Sequence, residues 1–229
     1  MMERHFDVSL RDLKEQLVGM AGSVERAIEN ATEALTARDR SKIENVYELE
    51  KKVNQAHINV DDACVKLLAL QQPLAADLRL IVAVLKINTD LERMGDQAVN
   101  IAHNTERYIS DLPLKPLIDL PAMFTEARHM VREAIDSFVR RDTQLARAVM
   151  LRDDKVDALK NKIFRDVLDH IKASPDQIEQ GLSLILIARN LERIGDHATN
   201  IAEDVIFAIT GEDVRHSPRP ESIKEALKP

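Results

Sequence analysis

Apolar residues recur along this chain in steps of three and four. Leu10, Leu13, Leu17, Met20, Val24, Ile28, Ala31 and Leu35 trace a single stripe down one face of a helix. The spacing predicts a first helix over about 8–37. A polar turn follows at Arg38-Asp39-Arg40-Ser41, with Ser41 the expected N-cap. A second helix over about 42–70 stops at Gln71-Gln72-Pro73, and a third runs over about 74–109. The prolines at 113, 116 and 121 mark a hinge. The pattern then starts again: a helix over about 122–140, a turn at Arg141-Asp142-Thr143, a helix over about 144–173, a break at Ser174-Pro175 and a last helix over about 176–210. That helix ends at Gly211, a residue suited to the left-handed position after a helix.

The second run repeats the first. Leu91-Glu92-Arg93-Met94-Gly95-Asp96-Gln97-Ala98-Val99-Asn100-Ile101-Ala102 returns one hundred positions later, beginning at Leu191 and ending at Ala202, with nine of twelve residues unchanged. Aligning Asp39 with Asp142, an offset of 103, pairs Val46 with Val149, Glu50 with Asp153, Val53 with Val156 and Asn54 with Asp157. Such self-similarity marks an internal duplication. Short turns force neighbouring helices antiparallel. The expected fold class is therefore all-α: two pseudo-symmetric antiparallel three-helix bundles in tandem, built from six long helices. The expected division is a first bundle over 1–112, a second over 120–211, and a mobile tail over 212–229, which holds three prolines.

Composition supports this and removes several alternatives. Aromatic residues make up only 3% and Gly is rare, while charged residues reach 31%, a helix-rich composition. The formal net charge of −7 argues against a nucleic-acid surface. The one cysteine, Cys64, excludes an intrachain disulfide and fits a reducing compartment. The most apolar stretch, Leu182 to Ala188, is far shorter than the roughly 20 residues of a membrane span. The start, Met1-Met2-Glu3-Arg4-His5, leads into an amphipathic segment rather than a secretory signal. These features point to a cytoplasmic protein.

The chemistry lies in carboxylates on apolar faces. On a helical wheel Leu74, Leu78, Ile81, Leu85, Asn88, Asp96 and Val99 fall within about 40° of Glu92, with Arg79, Lys86, Asp90 and Gln97 on the far, solvated side. Glu192 and Asp196 share a face with Ile185, Ala188 and Ile206, and Asp153 and Asp157 with Val149, Phe164 and Val167. Glu50, Asn54, His57 and Asp61 share a face with Val46 and Cys64. Acids on such faces are disfavoured by desolvation and mutual repulsion. Either Arg93 and Arg193 neutralise them, or a cation does. Three acids in the first half and four in the second outnumber one arginine in each, and oxygen-rich sets suit hard cations or iron. The expected metal ligands are thus Glu50, Glu92, Asp96, Asp153, Asp157, Glu192 and Asp196, for a divalent or trivalent ion (iron, manganese, magnesium, calcium or zinc). With Asn54 in place of an acid, the first half holds one carboxylate fewer, so the second half is expected to bind the tighter. Glu126-Ala127-Arg128-His129 matches the Glu-x-x-His of di-iron bundles, but it occurs once and reads as a solvated face. A di-iron carboxylate oxidase or metal-storage bundle is the alternative function.

The doubled Leu-Glu-Arg-Met/Ile-Gly-Asp motif closely resembles the PhoU family, over about residues 9–211. The resemblance implies two similar three-helix bundles, often in a homodimer, without enzymatic activity. It further implies a negative regulator of the phosphate-starvation response, linking the Pst phosphate ABC transporter to a membrane sensor histidine kinase. Such a protein would be cytoplasmic, at the periphery of inner-membrane complexes. Some members bind multinuclear metal clusters through Glu/Asp-x-x-x-Asp motifs, which map here to Glu92/Asp96, Glu192/Asp196 and Asp153/Asp157. The fourth, Glu50 with Asn54, departs from the pattern.

Overall fold

A computed structural model describes residues 5–110 and 119–215. Six long helices run in chain order: α1 (His5–Ala37), α2 (Arg40–Gln71), α3 (Ala75–Ile109), α4 (Leu120–Arg140), α5 (Thr143–Ala173) and α6 (Ile178–Thr210). No strand occurs among the described residues. The expected class holds, and each expected helix lies within a few residues of its observed span. The hinge prolines 113 and 116 fall outside the described residues, whereas Pro121 sits in the first turn of α4, where a missing N–H costs no helical bond. One short 3₁₀ turn, Pro175–Gln177, precedes α6, because Pro175 can open a helical turn but not continue one.

The turns at the two halves' first corners are built alike. Arg38 (φ 55) and Arg141 (φ 54) both adopt the left-handed conformation. The following aspartate closes the helix behind it, Asp39 N–H reaching the Ala34 carbonyl (3.1 Å) and Asp142 N–H the Ser137 carbonyl (2.9 Å). The same aspartates open the next helix. Asp39 accepts from the Ser41 amide at 2.9 Å, and Asp142 from the Gln144 and Leu145 amides. Asp39, not Ser41, is therefore the N-cap of α2; Ser41 instead donates its hydroxyl to Asp39.

Helices α1, α2 and α3 pack together, as do α4, α5 and α6, and the broadest contact among the described residues joins the halves along α3 and α6. This contact revises the expected faces of α3. Asp90, expected in solvent, is only 7% exposed. Its Oδ1 lies 2.8 Å from His197 Nδ1 and accepts from Asn200 at 3.3 Å. Beside it Lys86 pairs with buried Asp204 at 2.8 Å and lies over the Phe207 ring. A wheel drawn for one bundle assigns a single buried face; α3 has two, because α6 covers the side that would otherwise meet water. Residues 212–215 follow on from α6. Within them Val214 is buried, while the rest of the expected tail lies outside the described residues. No described helix is long and apolar enough to cross a membrane.

Candidate metal centres

Two grooves carry the candidate ligands, one between α2 and α3, the other between α5 and α6. A glycine sets each seam. A Cβ on Gly95 would sit 3.2 Å from Val53 Cγ1, and one on Gly195 would sit 3.5 Å from Val156 Cγ1 and 3.7 Å from Asp153 Oδ1. Val53 and Val156 are the pair that the repeat aligns, so the two halves bring their helices together at equivalent points. The glycines, which cost roughly 1 kcal/mol in a helix interior, permit that approach.

The acids flank these seams rather than filling the core. Asp96 and Asp196 are exposed, Glu50, Glu92, Asp157 and Glu192 half-buried, and only Asp153 is buried. The expectation that Glu92 and Asp96 follow the buried stripe is corrected: the stripe runs through Leu91, Met94, Ala98 and Ile101, and the acids line its margin.

In the second half the four acids act on one another. Asp196 is raised from the usual carboxylate range to about 6, first by desolvation and then by Glu192, Asp153 and Asp157. Lys160, which the sequence reading passed over, lies among them. Its Nζ donates to Glu192 Oε1 at 2.7 Å and to Asp157 Oδ1 at 2.9 Å. The hydrogen bond to Glu192, opposed by burial and aided by Asp157, raises the ammonium's pKa and keeps it charged. The spacing of three from Asp157 places Lys160 on that helix face, but its partnership with Glu192 depends on the approach of α6. Arg193 and Arg93, the alternative neutralising partners, are both exposed.

In the first half, Asn54 Nδ2 donates to Glu50 Oε1 at 2.5 Å, while Asn54 Oδ1 is buried without a hydrogen-bond partner. That orphaned oxygen is a donor atom of the kind that hard cations take. His57 does not join these acids. Its ring faces the Asn88 carbonyl (3.4 Å) and Asp61 (3.5 Å). Among the described residues no three His, Cys, Asp or Glu side chains are drawn together as a ready metal cage. The donor chemistry nonetheless suits a cation: carboxylates flanking a close helix approach at a glycine in both halves, an unpartnered amide oxygen in one, and an ammonium already seated among the acids in the other.

The Glu-x-x-His segment of α4 is otherwise engaged. Glu126, read from sequence as solvated, is buried and held by Arg152 (2.9 Å) and Lys155 (2.6 Å). Burial would raise its pKa, but the hydrogen bonds and charges of Lys155 and Arg152 outweigh this and hold it low. His129 is exposed. The two do not form a site. Cys64 is fully buried, and its thiol is pushed up to about 12 by burial and Asp61, which leaves it an inert core residue.

The family model of the PhoU domain matches the chain twice, over residues 17–105 and 120–205. The chain belongs to the PhoU family. It is 36% identical over 216 residues to a phosphate-specific transport system accessory protein PhoU homolog of Pseudomonas putida, covering 94% of this chain and 84% of that protein. A homolog of the same description from Aquifex aeolicus is 38% identical, covering 90% of this chain and 94% of its own length. The fold is similar to the crystal structure of PhoU from Pseudomonas aeruginosa, with a TM-score of 0.88 at 35% identity, covering 91% of this chain and all of that one. Each half of the chain carries one PhoU domain, and the candidate grooves occur once per domain.

Proposed function

We propose that this protein is a non-enzymatic accessory and negative regulator of a phosphate-specific transport system, acting in the cytoplasm at the periphery of the membrane complex. In this reading it couples the Pst phosphate ABC transporter to a membrane sensor histidine kinase, works as a homodimer, and restrains the phosphate-starvation response when phosphate is plentiful. The observation that carries the reading is the double PhoU match, one domain per half, together with relatives that are similar over nearly the whole chain and bear the accessory-protein name. The metal ligands in this reading are Glu50, Glu92 and Asp96 with the Asn54 oxygen in the first half, and Asp153, Asp157, Glu192 and Asp196 in the second. A metal held there would cross-link α2 to α3 and α5 to α6, fixing the grooves' shape without chemistry on a substrate. Cells lacking the protein should express phosphate-starvation genes in high phosphate, read by a transcriptional reporter. A reporter that stays silent after deletion contradicts the regulatory reading.

A further inference from the structure

Lys160 occupies the ground that a metal ion would need. Its ammonium lies between Asp157 of α5 and Glu192 of α6, within 2.9 Å and 2.7 Å of their oxygens. Those carboxylates are also candidate ligands, and an ammonium within hydrogen-bond distance of both repels a metal cation brought to the same oxygens. We propose that Lys160 is a tethered counter-cation, which closes the second-half groove in the metal-free protein and must be displaced for a metal ion to enter. This rests on the reading of the groove as a metal site.

Displacement is feasible. Lysine is a point charge on a flexible four-carbon stem, and this one is partly exposed, with 28% of its side chain accessible. A cleft of about 380 Å³ adjoins it, lined by Phe164, Ile185, Ala188 and Arg189 as well as by Lys160 and Glu192. The ammonium therefore has room to move into.

The first half contains no equivalent. In the repeat alignment His57 stands where Lys160 stands, and its ring faces Asn88 and Asp61 rather than Glu50. The charge counts of the two halves are then equal. Four carboxylates offset by one ammonium leave the second half no more negative than Glu50, Glu92 and Asp96 leave the first. The advantage expected for the second half exists only once Lys160 is out. The second site is accordingly a threshold site, filled by rising metal rather than permanently loaded.

Mn²⁺ titration of the full-length protein by calorimetry tests this, with Lys160→Met and Lys160→Gln beside wild type. Both variants should tighten one binding step about tenfold or more, since hard-cation affinity follows ligand charge, and adding Asp196→Asn to Lys160→Met should abolish the tightened step. Lys162→Met, at a lysine paired with Asp119 instead, should bind as wild type does. Thermal melts give a second readout: Lys160→Met should melt lower than wild type without metal and gain more from saturating Mn²⁺. Unchanged or weaker affinity in both Lys160 variants, with Mn²⁺ still bound by wild type, overturns the counter-cation role and leaves the metal reading standing. If wild type and variants all bind none, Lys160 is a permanent ion-pair partner and both readings fall.

Discussion

Asp196 shows how much a single carboxylate can reveal about its groove. Its folded pKa, about 6, lies above the ordinary value of 3.8, so the folded state holds the proton more tightly than the unfolded chain does. The sign follows: the group opposes folding above about pH 6, and that penalty fades as pH falls from 6 towards 4. In metal-free protein, Asp196→Asn should therefore raise the melting temperature at pH 7.5 and have little effect near pH 4. An equal effect at both pH values would mean that the amide acts through packing. The acids were legible in the sequence because Glu-x-x-x-Asp recurs with its glycine. Lys160 was not, because a lysine on a helix flank has the pattern of any solvated residue, and only the approach of α6 makes it a partner of Glu192. Glu126 was misread for the same reason, its partners Arg152 and Lys155 standing on another helix.

At the scale of the element, the helices and their order were legible because apolar steps of three and four continue for thirty residues at a time in several of them. What escaped was the corner geometry. Arg38 and Arg141 take left-handed backbones where glycine would be unstrained, and nothing in their residue type signals it. Arg141→Gly should stabilise the protein by roughly 0.5–1 kcal/mol by removing that strain. Arg38→Gly should not gain as much, since the Arg38 guanidinium donates to the Ile109 carbonyl at 2.8 Å and lies over Tyr108, contacts worth about 1–2 kcal/mol together. Urea denaturation of the two variants compares them directly; equal gains would show that the Arg38 contacts contribute nothing.

At the scale of the whole molecule, duplication produced two bundles and the α3–α6 seam made them one body. A wheel for the first half predicts solvent where Asp90 is in fact buried, because the sequence of one repeat carries no sign of which surface meets the other. Lys86→Met leaves Asp204 buried without its cation and should cost on the order of 2 kcal/mol in denaturant unfolding, with Mn²⁺ binding retained; loss of both together would mean that the seam also shapes the grooves. The central claim is that each PhoU domain holds a metal site in its acidic groove. Its most direct test is elemental analysis of tag-free protein purified without chelator, beside an Asp96→Asn/Asp196→Asn double variant of unchanged helicity. The account predicts metal in wild type, in the first-half groove as purified and in both grooves once metal is added, and strong depletion in the double variant. Wild type that emerges well folded and metal-free, and takes up none of the added iron, manganese or zinc, would contradict it.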